Sequence, residues 1–287
     1  MTGLANQGAK QAEAQRTSGP LVDPSARLLT RLTIVLGYVA IFLIYAPIVW
    51  LIVMSISERP LTGIPWPLTG DWYAKLYDDT RWVEPIELSL WIGLIVAVLC
   101  MVASTLVGRA LPRLRRHGGL LFAFLVPLFV PGIVLGITFF VYFRSFLGIK
   151  TGIWSLVLVH FVWAFPFALL SMLVVSSRFD DRLLEAAADL GANAWQRFWQ
   201  IEFPALKPGV IAAAFFGFLL SFNELERSLY LRGGETTLPL YTWFQTASHT
   251  SNVPLIYALS TIITLVSVVL TVFALRMLFS KRKGGGV

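Results

Sequence analysis

The amino-acid sequence predicts an all-α membrane protein, a bundle of six transmembrane helices with both termini on the cytoplasmic side. Composition is the first observation: 56% of the 287 residues are hydrophobic and only 14% are charged. A soluble domain carries about 25% charged residues and under half apolar ones. The second is a set of six apolar stretches, each long enough to cross about 30 Å of hydrocarbon, which takes about 20 helical residues. The third is the alternation of basic residues between the segments that join them.

In chain order, residues 1–30 are rich in Ala, Gly, Gln, Ser and Thr and are expected to form a disordered cytoplasmic tail. The apolar stretches cover 32–56, 86–107, 120–143, 152–176, 210–230 and 254–279. None shows the period-two alternation of a barrel strand. The first stretch is too long for a cleaved signal peptide and follows a polar tail instead of a short basic n-region, so it reads as a permanent span. Residues 31–280 thus form the membrane domain, followed by a basic cytoplasmic tail at 281–287.

One set of connecting segments holds Lys10, Arg16, Arg27 and Arg31; Arg109, Arg113, Arg115 and Arg116; Arg178, Arg182, Arg197 and Lys207; and Arg276, Lys281, Arg282 and Lys283. These are 16 of the 23 basic residues. The alternate set holds Arg59, Lys75, Arg81, Arg144, Lys150, Arg227 and Arg232. Positive charge is retained on the cytoplasmic side, so both termini lie there. The net charge of +7 is therefore a topology signal and argues against nucleic-acid binding. A single cysteine, Cys100, excludes an intramolecular disulfide and reads as a buried structural thiol.

The connection between the fourth and fifth spans is about 30 residues long, whereas helix connections in bundles take about 2 to 8. Asp180 or Asp181 can cap a helix that runs through Leu190, with Gly191 ending it as the C′ residue. Asn193 with Gln196 three residues later resembles a capping box opening a second short helix, which Pro204 is expected to stop. Ala186, Ala187 and Ala188 keep the first helix slim. Trp195, Phe198 and Trp199 fall on one face of the second. Such a helix–turn–helix fits a docking element for a cytoplasmic protein, and equally an aromatic anchor at the headgroups.

Glu185, Ala186, Ala187, Gly191, Ile201 and Pro204 reproduce the E-A-A-(3)-G-(9)-I-x-L-P signature of bacterial ABC importer permeases, with Phe203 where that signature has Leu. The chain resembles that family from about Tyr38 to Phe279. Within it the resemblance is to the spermidine/putrescine class, second-permease type. Ala46 to Ile56, Pro127 to Gly136, Ser221 to Leu225 and Leu238 to Trp243 carry this. The resemblance implies the type I ABC importer (MetI-like) permease fold in a bacterial inner membrane. It implies coupling helices at about 180–204 that dock on an ABC ATPase dimer, with Glu185, Ala186, Ala187, Gly191, Trp195, Ile201 and Pro204 in the coupling element. ATP and Mg would be bound by that partner and not by this chain. A periplasmic substrate-binding protein is a further implied partner. Six spans make half of a type I pore, so a second permease is implied, and the polyamine resemblance favours a related chain over an identical copy.

Several intramembrane residues bear on a pathway. Pro127 and Pro131 loosen the third span, and Gly132 and Gly136 form a G-x-x-x-G that lets another helix come close. His160 is costly in lipid and is expected to face protein or a cavity, more as a satisfied packing residue than as a ligand. Ser221, Asn223, Glu224, Glu226 and Arg227 cluster at the outer end of the fifth span as candidate pathway residues. On a helix Glu224 and Arg227 can pair, while Glu226 lies about 200° away from Glu224. Pathway lining and an interfacial ion pair are both open to this cluster. The polyamine resemblance favours the pathway, with Glu224 as the carboxylate that meets a cationic amine. Related permeases carry opines, iron chelates and amino-acid derivatives.

The first outer loop interleaves Glu58, Asp71, Asp78, Asp79 and Glu84 with Trp66, Trp72, Tyr73, Tyr77 and Trp82. It is expected to be a solvated face with interfacial aromatics; a binding-protein contact is the alternative. The chain shows no Walker phosphate loop, no G-x-S-x-G, no H-E-x-x-H and no metal-binding cysteine spacing, so it is not expected to be an enzyme. His117, His160 and His249 fall on separate segments. An ion-driven secondary transporter, the other transport class, would show inverted repeats, and none is visible.

Overall fold

The computed structural model describes residues 24–115, 117–248 and 250–280. Residues 1–23 and 281–287, Arg116 and His249 lie outside the described residues, and with them most of the expected N-terminal tail and the whole basic C-terminal tail. Among the described residues the chain is helical, with one isolated antiparallel bridge between Ser57 and Leu68. Five helices among the described residues are long and apolar enough to cross a membrane, and a bent helix pair makes a sixth when it is counted as one span. The chain divides into two units, residues 1–69 and 70–287.

The first unit is built on α1 (Pro24–Met54). Its start corrects the expected tail, because 24–30 are helical. Proline at a first helical position loses no needed donor and is preset at a helical φ. After α1, the Glu58 N–H donates to the Pro67 carbonyl at 3.0 Å and the Thr69 N–H to the Ile56 carbonyl at 2.7 Å.

The second unit contains α2 (Asp71–Asp78), α3 (Val83–Ala110), α4 (His117–Leu125), α5 (Gly132–Val141), α6 (Ile153–Ser176), α7 (Arg182–Asp189), α8 (Ala194–Arg197), α9 (Phe203–Phe222), α10 (Ser228–Leu231), α11 (Leu238–Ser248) and α12 (Val253–Ser280). Its centre is the trio α3, α6 and α9. Ile92, Val96, Leu156, Leu169 and Ala213 are buried among these helices, and Cys100 is a buried free thiol there. Membrane helices gain little from excluding lipid and associate through close packing of small residues. Gly217 shows how close: a Cβ on it would lie 2.8 Å from the Cys100 Cβ and 3.0 Å from the Ala97 Cα. Gly217→Ala is expected to cost about 1–3 kcal/mol by overpacking. Thermal unfolding of the detergent-solubilised protein measures it, and an unchanged midpoint refutes it.

The third span is broken, not merely loosened. Segments His117–Phe129 and Gly132–Phe146 meet at 99°. The residue before a proline is driven out of the helical region. Val130, before Pro131, accordingly has ψ 124°, and Pro131 itself has ψ 138°. Two successive extended residues turn the chain. Pro127 opens a short 3-10 turn over Val126–Phe129.

A second apolar cluster joins Leu76, Leu238, Tyr241, Ile256 and Leu259. Trp72, Tyr73 and Trp82 pack on it, and the Trp82 indole N–H donates to the Leu76 carbonyl at 3.0 Å. These three aromatics of the first outer loop therefore pack within the fold, while Trp66 and Tyr77 are exposed.

Candidate functional site

The predicted fifth span, 210–230, divides at its outer end. α9 stops at Phe222, residues 223–227 are non-helical, and α10 begins at Ser228. Asn223 terminates α9 by donating its side-chain amide to the Leu219 carbonyl at 2.8 Å. A short amide competes well for the free carbonyls of a last turn. The helical-wheel separation of Glu224 and Glu226 therefore does not apply, because no helix runs through them.

Glu224 and Arg227 do pair, across this break. One carboxylate oxygen of Glu224 accepts from the Arg227 backbone N–H at 3.0 Å and the other from Arg227 Nη1 at 2.8 Å. Both side chains are buried, 5% and 6% exposed. The guanidinium lies over the Trp163 ring, 3.8 Å from its centroid. Ser228 Oγ donates to the Glu224 carbonyl at 3.1 Å. His160 joins the same core, with Nδ1 2.9 Å from Ser221 Oγ and Nε2 2.7 Å from Ser228 Oγ. Both ring nitrogens are thus engaged, which makes His160 a satisfied packing residue. A buried charge pair gains from having its remaining polar groups held as well. Here the serines hold the imidazole and the Glu224 carbonyl and Trp163 covers the guanidinium, while Arg227 Nε is buried without a hydrogen-bond partner among the described residues.

The G-x-x-x-G of the third span serves this cluster. A Cβ at Gly132 would collide with the Glu226 carboxylate and the Arg227 guanidinium, and one at Gly136 would lie 3.1 Å from the Arg227 Cα. The glycines admit the 226–227 turn that leads into α10, the short helix that packs on α5. Beside them opens a cleft of about 600 Å³ whose lining includes Phe129, Pro131, Trp163, Glu224, Glu226 and Arg227. Asn223 and Glu226 are exposed. Ser221 is turned inward, and the carboxylate of Glu224 is committed to Arg227. Glu224 and Glu226, both candidate pathway residues, line the cleft; the exposed carboxylate is that of Glu226, while that of Glu224 is paired with Arg227. Sequence reading missed Trp163 and Ser228. Trp163 sits three residues after His160, on the same helical face, and that spacing was its signal.

At the opposite end, α7 closes in the manner expected of Gly191. With Leu190 as its C-cap, the Gly191 N–H donates to the Ala188 carbonyl and the Ala192 N–H to the Ala187 carbonyl, both at 2.9 Å. Gly191 has φ +85°, open to glycine at little cost. The Asn193 and Gln196 capping box forms, with both bonds at 2.9 Å. Asp180 Oδ1 accepts from the Arg182 N–H at 3.0 Å, whereas Asp181, at the cap position, makes no capping bond.

Pro204 does not stop the second helix. Residues 194–222 run continuously through a π-turn, Phe198–Glu202, into α9. Proline lacks a donor and presses on the carbonyl four residues back. The wider π-turn, closed by the Phe203 N–H on the Phe198 carbonyl, shifts the ladder just before Pro204. The second of the two short helices expected in this segment is therefore an extension of the fifth span.

The same π-turn holds Glu202, which sequence reading did not single out. Its side chain is 3% exposed and is gripped by Arg109 at both oxygens, Nε to Oε1 at 2.8 Å and Nη2 to Oε2. Arg113 Nη2 reaches Glu202 Oε1 at 3.1 Å and Asp181 Oδ1 at 2.7 Å. Arginines that end the second span thus clamp the start of α7 and the helix that runs on into α9. The signal was an acidic residue inside an otherwise apolar motif. Glu185, Ala186, Trp195 and Pro204 remain exposed, and Ile201 and Ala187 are half-buried. Trp195 is 70% exposed and Leu190 89%, while Phe198 turns beneath the Arg109 guanidinium. Of the three aromatics, Trp195 is the one most open to a partner.

Residues 115–283 match the family described as binding-protein-dependent transport system inner membrane component. The chain is 32% identical over 248 residues to the spermidine/putrescine transport system permease protein PotC of Escherichia coli, which covers 84% of this chain and 91% of that protein. It is 28% identical to the putrescine transport system permease protein PotI of the same organism, over 69% of this chain and 73% of that one. A chain from the crystal structure of a bacterial ABC transporter involved in the import of the acidic polysaccharide alginate superposes with a TM-score of 0.67. The match has 16% identity and covers 91% of this chain and 100% of that one. At that identity the likeness shows the fold alone.

Proposed function

The chain belongs to the family of binding-protein-dependent transport system inner membrane components and is a permease of an ABC importer; from that premise we propose that it carries a polyamine or similar cationic amine across a bacterial inner membrane. It would form half of the pathway, beside a second, related permease. A periplasmic binding protein delivers the substrate, and an ATPase dimer that binds ATP and Mg docks on the surface around Glu185, Gly191 and Trp195. Closure of that dimer moves the 194–222 helix as one body, so the push reaches the outer turn at 223–227.

The observation that carries the substrate reading is the charge of the cleft. Its charged lining is Glu224, Glu226 and Arg227, and the first and last cancel as a buried pair. Glu226 is left as an exposed carboxylate in a cleft that Phe129 also lines, one face of Trp163 being taken by Arg227. An ammonium about 4 Å from a carboxylate gains about 1 kcal/mol in water and about 4 kcal/mol near a protein surface. Aromatic faces add cation–π attraction. The names of PotC and PotI support the same solute class.

Uptake of labelled putrescine and spermidine into proteoliposomes, with the importer's ATPase, second permease and binding protein present, tests this. Wild-type protein is expected to transport them, and Glu226→Gln to raise KM about tenfold, which corresponds to about 1.4 kcal/mol. Unaltered kinetics in Glu226→Gln, or uptake of an opine or iron chelate in place of polyamines, defeats the proposal.

A further inference from the structure

Beyond the first outer loop the outer side carries four basic residues, Arg144, Lys150, Arg227 and Arg232. Arg227 is buried with Glu224. The other three line one cleft of about 580 Å³, together with Phe140, Thr151 and Tyr230, and no acidic side chain lines it. Arg144 and Lys150 are exposed and, among the described residues, make no salt bridge. Arg232 donates to the Glu235 carbonyl at 3.1 Å, lies 5.0 Å from the Phe244 ring centroid and, among the described residues, makes no salt bridge.

The cleft is built, not incidental. Two outer loops close on each other to make it. Gly233 takes φ +62° and approaches so tightly that a Cβ on it would lie 2.4 Å from the Thr151 carbonyl oxygen. Ser155 Oγ donates to the Leu231 carbonyl at 2.7 Å and also receives the Gly152 N–H at 2.8 Å. Three cations are therefore presented on a fixed frame, on the membrane face where basic residues are scarcest.

A tripositive recess repels a cationic amine, so it is not part of that solute's route. We propose that this cleft is the seat for an acidic lobe of the periplasmic binding protein, whose Asp or Glu side chains pair with Arg144, Lys150 and Arg232. This rests on the reading of the chain as a binding-protein-dependent permease. Arginine forks match carboxylates in a bidentate manner, and charges at such a rim steer encounter and set salt dependence. A lipid phosphate would need neither the recess nor the locked pair of loops.

The test uses the complete importer in proteoliposomes and its own binding protein loaded with spermidine. It reads the binding-protein concentration that half-saturates stimulated ATPase activity. The double variant Arg144→Glu with Lys150→Glu is expected to raise that concentration about tenfold and to flatten its salt dependence. Activity without binding protein should be unchanged, which also reports that the variant is folded and assembled. The neutral pair Arg144→Gln with Lys150→Gln should give a smaller shift in the same direction. Unchanged half-saturation in the charge-reversed importer overturns the proposal. So does a shift that follows the anionic-lipid content of the vesicles instead of the binding-protein concentration. If binding protein fails to stimulate even the wild type, the importer reading falls with it; normal stimulation with unchanged half-saturation removes only the docking seat.

Discussion

Arg227→Met is expected to destabilise the folded permease by about 3–5 kcal/mol, because it leaves the Glu224 carboxylate buried without a counter-charge. The side chains are 6% and 5% exposed, so water does little to relieve either partner left alone. Glu224→Gln should cost somewhat less. Its amide can still accept from the Arg227 N–H, but the guanidinium then keeps only the Trp163 face. Combining the two should restore most of the loss, since neutral partners of similar shape have little desolvation to offset. Thermal unfolding in detergent across the four proteins of this cycle provides the measurement. Additive losses would mean that the pair is not a unit and that the turn at 223–227 is held by something else. The same cycle separates stability from substrate handling. Glu226→Gln should leave the unfolding midpoint near that of the wild type, as expected for an exposed carboxylate.

Glu202→Ala is the second large effect. It is expected to cost about 2–3 kcal/mol, below the value for a fully buried pair because Arg109 and Arg113 are 28% and 40% exposed and partly screened. The functional loss should exceed the structural one. Without Glu202 the end of the second span loses its ion pairs to the helix that continues into the fifth, and Arg109 keeps its packing over Phe198. ATP hydrolysis by the assembled importer should persist while uptake falls at least about tenfold, a loss of about 1.4 kcal/mol of coupling. Asp181→Asn is the contrast, since that carboxylate is 55% exposed and such pairs contribute about 0–1 kcal/mol. Uptake and hydrolysis falling together in Glu202→Ala, in step with the folded fraction, would reduce Glu202 to a purely structural residue.

These two sites show where sequence reading reached and where it ended. The apolar spans, the expected orientation and the expected coupling element were read from properties that stay within a short window. Hydrophobic length, the side of each basic cluster and the spacing from Glu185 to Pro204 are all visible in one dimension. Gly191 and the Asn193–Gln196 box formed as expected because each is satisfied by its own neighbours. Tertiary structure decided what depends on partners far along the chain. Glu202 meets Arg109 across 93 residues and His160 meets Ser228 across 68. Neither pairing leaves a local trace. Pro131 and Pro204 make the point in opposite directions. Both remove a backbone donor, yet one breaks a span at 99° and the other is absorbed by a π-turn. The lone residue forbids only one hydrogen bond, and the packing around it selects between bending the chain and rewinding it. The long apolar helices were thus determined by the sequence alone, since burial in lipid requires each backbone group to be satisfied within its own helix. Which carboxylate stands open to the cleft was a tertiary decision. Glu224 and Glu226 are chemically alike, and only the arrival of Arg227 beside Gly132 and Gly136 neutralises one and leaves the other.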